Sequence, residues 1–460
     1  MHSNILKEIV RLGWPVFVAQ IAVMANGCID TVMAGRYSTV DLAAVGVGAS
    51  IYMSVFVAMM GVLLALGPIV SQLYGAKRYV EVGAEVRQST WRALALTIAC
   101  LAALRYPDPF LAFTRLEPQV EERVRAYLGA VAWGVPAMLA FRIFYGFSTA
   151  VSKPRVIMLL NLAGMLFKVP LNALFMYGHF GLPEMGGVGC AVSTAVISWL
   201  IVLAAGIWCY ADKDYARYGV FAHWSWPSAR RIGHLLSLGI PIGATFFVDV
   251  TGFTFMALFI ARLGPTNSAA HQIAGNFAAI LYMLPLAVGN AASVLVGHAI
   301  GARDFARARA TGILGIAVAF ACACGIALAL FFNTRALAGL YTADPQVVTL
   351  ASGLLGLVAG YHLFDSIQAV AVNVLRGYKR AIVPMVVYAV ALWGVGLGGG
   401  YVLGLTSAVD LSWLGMSTPL GARGFWTAAI GSLFIAGSAV AAYFLYISRQ
   451  ALREARASTG

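Results

Sequence analysis

Three carboxylates stand where carboxylates are costly. Asp30 lies in "MANGCIDTVMAG", Asp249 in "TFFVDVTGF" and Asp365 in "GYHLFDSIQ", each deep inside an apolar run. An ionised Asp at the centre of a bilayer costs on the order of 3 kcal/mol or more, so such residues turn toward protein or water and mark ion paths. Neighbours at helical spacing add further polar atoms. Asn26 is four residues before Asp30, Thr245 four before Asp249, and Tyr361 and His362 are four and three before Asp365. Oxygens beside a carboxylate ligate a hard cation, and a carboxyl taken out of water also carries a proton near neutral pH. Both Na+ and H+ are therefore open as the bound ion. The plainer reading is an Asp that caps a helix or neutralises a base, and His362 reads equally well as a hydrogen-bonded interior histidine. Asp41 is expected at a membrane interface, solvated by water.

Two bases share the apolar segments. Lys168, in "MLFKVPLNALFMYG", is too deep to snorkel easily and is expected to pair with Asp30, the only deep acid of its own half. Arg142, in "AFRIFYGF", is expected to snorkel toward the cytoplasmic face along its own stem. Aromatic and soft side chains stand nearby: Tyr52 and Met53, Phe141, Phe144 and Tyr145, Tyr282 and Met283. Rings beside a carboxylate suit a lipophilic organic cation, although most membrane aromatics only pack.

These residues need apolar helices to position them. The chain has 460 residues, 61% hydrophobic and 11% charged, where soluble domains are about a quarter charged. Runs of roughly twenty apolar residues predict transmembrane helices rather than strands. Twelve are expected, over 13–36, 42–70, 86–104, 126–150, 156–178, 190–210, 236–262, 268–298, 310–332, 347–375, 381–404 and 424–447. The third is interrupted by "RYPDPF". The start, "MHSNILKEIVRLGWPVFVAQ", reads as a retained first helix, since its apolar run is long and lacks a small-residue cleavage site. Cysteines 28, 100, 190, 209, 322 and 324 all fall in apolar runs and read as core residues, with no disulfide framework or zinc site.

Net charge is +13, and its distribution matters more than its total. Most Lys and Arg fall at the termini and in the even-numbered gaps, among them Lys77, Arg78, Arg87, Arg92, Lys153, Arg230, Arg376 and Lys379. Fewer fall in the odd-numbered gaps, such as Arg115 and Arg262. Basic loops face the cytoplasm, so both termini are expected there. The +13 charge then reflects topology, and no nucleic acid partner is expected.

The chain also repeats. "LGWP" at 12–15 returns as "LGIP" at 238–241, "YGAKR" at 74–78 as "IGARD" at 300–304, Lys153 as Lys379, and "MYG" ending at Gly178 as "VLG" ending at Gly404, all offset by 226. Gly189 and Gly424 are offset by 235, which places nine extra residues in the last outer loop of the second half. The expected organisation is a six-helix lobe over 1–211, a cytoplasmic linker over 212–232 and a second six-helix lobe over 233–460. Six is even, so the two lobes are parallel repeats, an architecture that encloses a central cavity in transporters.

On these residues the sequence resembles the multidrug and toxic compound extrusion (MATE) family, in its bacterial NorM-type branch. The carrying stretches are "DTVMAG", "GPIVSQLYGAKR", "VPLNALFMYGHFGLPEMGGVGCAVSTA", "LGIPIGATFFVDVT", "AAHQIAGNF", "VLRGYK" and "PLGARGFW". The resemblance implies an all-α integral membrane protein with twelve transmembrane helices in two pseudo-symmetric six-helix lobes. It implies an inner-membrane antiporter, acting as a monomer without a cofactor, that exchanges inward Na+ or H+ for outward cationic drugs and dyes. It gives Asp30 an ion- or proton-coupling role, with Asn172 and Thr194 assisting. It gives Asp365 the corresponding role in the second lobe, with Tyr282 near that site. Asp249 stands where such proteins usually carry Glu, and Lys168 where those with a sodium site in the first lobe carry Asn. A fixed positive charge beside Asp30 would repel Na+ and work against proton carriage, so coupling is expected to run through Asp249 and Asp365 or through a Lys168–Asp30 pair that opens and closes.

Two other readings fit the same architecture less well. A lipid-linked precursor flippase of the same superfamily would carry an anionic substrate and need a cavity dominated by bases. An integral-membrane transferase would need paired acids or a metal cluster, and neither DDxxD nor HExxH occurs.

Overall fold

The computed structural model describes residues 2–111, 116–222, 225–408 and 419–457, and among these every regular element is helical. In order they are α1 (His2–Tyr37), α2 (Thr39–Leu63), α3 (Leu66–Gly75), α4 (Tyr79–Arg105), α5 (Asp108–Leu111), α6 (Pro118–Ala132), α7 (Val135–Ala150), α8 (Pro154–Met176), α9 (Val188–Ala211), α10 (Lys213–Ala216), α11 (Ala229–Ala261), α12 (Pro265–Gly301), α13 (Phe305–Gly339), α14 (Pro345–Gly377), α15 (Ile382–Ala389), α16 (Gly399–Leu405) and α17 (Ala422–Ala457). A short 3₁₀ turn covers His179–Gly181, and a π-helical stretch, Val390–Gly398, joins α15 to α16.

All twelve expected apolar segments are helical. Ten described spans are long and apolar enough to cross a membrane, α2 with α3 and α15 through α16 each making one. The pair α6 and α7, bent by 47°, makes an eleventh. Its break at Trp133–Gly134 precedes Pro136 in the first turn of α7, a position that tolerates proline while disfavouring helix just before it. The twelfth segment is α4, whose first half carries Glu81, Glu85, Arg87 and Arg92. It ends at Arg105, one residue before the Tyr106–Pro107 step. Arg115 and part of the expected linker, residues 223–224, lie outside the described residues.

The chain divides into two compact units, Trp14–Gly243 and Met1–Gly13 with Ala244–Gly460. The divisions fall inside α1 and α11, next to Pro15 and Pro241, rather than at 211 and 233. The reason for the first division is apolar packing, because Ile5, Ile9 and Leu12 are buried in one cluster with Val288, Leu295 and Val374.

Each unit repeats one backbone device. In the first, the Met185 and Gly186 N–H groups donate to the Phe175 and Met176 carbonyls (3.2 and 3.1 Å), pinning the loop back onto the end of α8. In the second, Leu420 and Gly421 donate to Leu403 and Gly404 (2.9 and 3.1 Å) at the end of α16. Gly186 and Gly421 both sit at φ near +60°, which glycine alone adopts without strain. Gly189 and Gly424 follow, and a Cβ on either would stand 2.7 Å from the backbone of the preceding segment.

The acceptors in this device are offset by 228, not 226. Two of the nine extra residues therefore lie ahead of the outer loop, and Gly404 answers Met176 rather than Gly178. Both are already present before α15 begins: the Arg380 N–H to Leu375 carbonyl bond answers the Lys153 N–H to Ser148 carbonyl bond at an offset of 227, and Ile382 opens α15 where Pro154 opens α8, at an offset of 228.

Candidate ion and substrate sites

The Trp14–Gly243 unit brings α1, α8 and α9 together around Asp30. Asn172 and Lys168, four residues apart on one face of α8, both reach it: Asn172 Nδ2 donates to Asp30 Oδ1 at 2.7 Å, and Lys168 Nζ stands 2.9 Å from the same oxygen. The first turns of α9 complete the cluster. Lys168 Nζ donates to the Cys190 carbonyl and to Ser193 Oγ, each at 3.1 Å, and to Thr194 Oγ1. Ser193 Oγ in turn donates to Asn172 Oδ1, and Thr194 Oγ1 to the Cys190 carbonyl at 2.8 Å. Lys168 is 1% exposed and Asn172 and Ser193 are fully buried. A buried pair of this kind is tolerable only when its polar atoms find partners, and here the Lys168 ammonium and both polar atoms of the Asn172 amide do. Asn26 is not part of the cluster, and its buried side-chain oxygen has no hydrogen-bond partner.

The other unit holds a cavity of about 210 Å³ between α11, α12, α14 and α15. Asp249, Asp365, Tyr282 and Met283 line it, together with Thr245, Phe246, Phe253, Tyr361, Gln368, Asn373, Arg376 and Tyr388. Tyr388 donates to Asp249 Oδ1 at 2.6 Å. Among the described residues neither Asp249 nor Asp365 is within ion-pair distance of a base. Arg376 faces the same cavity but is engaged elsewhere: its Nη1 donates to Asn373 Oδ1 (3.1 Å), and its guanidinium lies 5.4 Å from the centre of the Phe246 ring. The space thus offers two carboxyls and several rings, the pairing that receives an amine or an organic cation.

Several expected positions lie elsewhere. His362 is buried with Nε2 unpartnered and does not line the cavity. Tyr52 is packed in the core of the other unit, its hydroxyl donating to Met138 Sδ at 2.9 Å and its ring stacked on Phe56. Phe141 packs on Phe144, Met53 is half exposed, and Arg142 lies over the Tyr145 ring at 5.6 Å. Asp41 is not solvated. It is 2% exposed and accepts from the Gly187 N–H (2.7 Å) at the start of α9, because an unpaired helix N-terminus needs an acceptor there. Arg92 and Arg376 are not loop charges but buried residues of α4 and α14. Cys28, Cys322 and Cys324 are exposed rather than core, while Cys100, Cys190 and Cys209 are buried, and all six are free thiols.

Sequence reasoning missed Tyr388, Gln368, Asn373 and Arg376 as cavity residues. A signal existed for two of these α14 positions, Gln368 and Arg376. Tyr361, Asp365, Gln368, Val372 and Arg376 recur every three or four residues, one stripe of a single helix.

Known proteins are similar to this chain in sequence and in fold. The MatE family model matches residues 15–174 and again 241–402, the two matches starting 226 residues apart and ending 228 apart. The probable multidrug resistance protein NorM of Aromatoleum aromaticum is 39% identical over 94% of this chain and 92% of its own. That of Chromobacterium violaceum is 37% identical over 97% and 95%. Among solved structures, the MATE transporter NorM-NG in complex with rhodamine 6G and a monobody superposes with a TM-score of 0.80, at 32% identity over 96% of this chain and 94% of that one. Matched in both halves and along nearly its whole length, the chain belongs to the MatE family.

Proposed function

We propose that this protein is a multidrug efflux antiporter that exports cationic, lipophilic compounds in exchange for inward Na+ or H+. The observation that carries the reading is the cavity in which Asp249 and Asp365 stand together without an ion-paired base, walled by Tyr282, Tyr361, Phe246 and Phe253. An organic cation and a small ion would compete for these carboxyls. Each then lowers the affinity of the other, the negative coupling that exchange requires. The names of the relatives and the dye complex of NorM-NG support drugs and dyes as the cargo. The reading places the protein in the bacterial inner membrane with both termini cytoplasmic, as a monomeric carrier rather than an enzyme. Coupling runs through the Asp249–Asp365 cavity, because Asp30 already holds the Lys168 ammonium.

The test uses purified protein in liposomes loaded with ethidium, with a ΔpH and a Na+ gradient imposed separately. At least one gradient is expected to drive dye movement in the wild type, and D249N and D365N are expected to abolish it while inserting normally. Movement driven by neither gradient contradicts the antiport reading.

A further inference from the structure

The surroundings of Lys168 Nζ are unusual for an ordinary ion pair. Four oxygens approach it: Asp30 Oδ1, the Cys190 carbonyl, Ser193 Oγ and Thr194 Oγ1. An ammonium has only three N–H donors. The two hydroxyls direct their own protons away, Ser193 to Asn172 and Thr194 to the Cys190 carbonyl, so their lone pairs face the nitrogen. Asn172 Nδ2 holds the carboxylate from the other side. One carboxylate, one backbone carbonyl and two hydroxyls around a single positive atom make an oxygen shell suited to a hard monovalent cation. The charge balances at one, and the shell is mostly shut off from outside, with Lys168, Asn172 and Ser193 buried and only Asp30 and Thr194 partly reachable.

We infer that the Lys168 ammonium is a tethered cation filling a small-cation site of the Trp14–Gly243 unit, and that removing it opens the site to Na+ or methylammonium. The site then stays occupied at any external ion concentration. Its positive charge is carried on the chain rather than taken from solution. This rests on the proposed antiport only in assigning exchange to the other unit, and the shell's chemistry stands without it.

The experiment measures the melting temperature of detergent-purified protein against NaCl, methylammonium chloride or choline chloride at constant ionic strength. All variants carry D249N and D365N, so that the second cavity contributes nothing. With Lys168 present, the three salts are expected to give the same melting temperature. K168A is expected to melt lower and to recover by roughly 2–4 °C, saturably, with Na+ or methylammonium but not choline. Adding D30N should remove the recovery. K168N, which adds an amide oxygen, carries the same test should K168A fold poorly. A folded K168A or K168N whose melting ignores Na+ and methylammonium overturns the inference, as does a recovery that survives D30N. Failure of both variants to fold even in these salts also overturns it. Ethidium transport by K168A on the otherwise wild-type chain is read separately, so loss of the cation site and loss of antiport remain distinct results.

Discussion

At the scale of single residues, the two charged clusters differ in what each carboxylate already holds. Asp30 is paired and hydrogen-bonded, and Lys168 is the partner whose loss leaves a buried charge uncompensated. Lys168→Met, which keeps the stem but fills the site, should therefore destabilise the protein by about 3–5 kcal/mol, read as a lower melting temperature in detergent. Among the described residues, Asp249 is held by the Tyr388 hydroxyl alone, at 2.6 Å. Tyr388→Phe removes one hydrogen bond to a charged group, a loss of about 1.5–3 kcal/mol where the bond is made. The ion concentration giving half-maximal dye transport should shift by roughly tenfold or more. The deep acids were legible because a carboxylate in an apolar run is too costly to be incidental. Tyr388 was not, since one tyrosine in an apolar helix looks like packing. Arg376 was sorted with the loop bases because it lies close to Lys379 and Arg380 in sequence, although its three-turn spacing from Asp365 marked it as a residue of the same face.

At the scale of elements, the start of α9 positions both Asp30 and its neighbours. Gly189 lets α9 pass against the end of α8, and Gly424 does the same for α17 and α16. Gly189→Ala and Gly424→Ala should each cost about 1–3 kcal/mol through overpacking against backbone that has little room to yield. Gly206→Ala, in open space on α9, should be neutral or slightly stabilising. Thermal melts of the three variants check the contrast. Asp41 fixes the same helix start through the Gly187 N–H, so Asp41→Ala should cost about 0.5–2 kcal/mol, with altered Lys168 surroundings as a secondary effect. The apolar periods gave the helices, and the glycines gave the pattern of the loops. The π-helical stretch was not legible, because "VALWGVGLG" has no residue that distinguishes wider turns from ordinary ones. The hydrogen-bonded turns before α8 and α15, with the pairs at the ends of α8 and α16, show where the second unit is longer.

At the scale of the whole molecule, a duplicated sequence has produced two units with unlike polar interiors. The 226-residue offset made the duplication readable, and the family match in both halves agrees with it. The divergence was readable too, in part: Lys168 is a base where the second unit carries glycine, Gly394 by the sequence offset and Gly396 by the hydrogen-bonded pairs, and the second unit carries two deep acids in its apolar runs where the first carries one. What the spacing did not give was which side chains share a cavity, since that depends on how four helices pack. The proposed exchange turns on competition between a small cation and an organic cation for Asp249 and Asp365. Equilibrium binding of ethidium to the purified protein, titrated with Na+ at fixed pH and with H+ at fixed Na+, reads that competition without intermediate steps. At least one ion should weaken dye binding progressively and saturably, and D249N/D365N should remove this dependence. Dye affinity that is indifferent to both ions in the wild type, or ion dependence that persists in D249N/D365N, would contradict it.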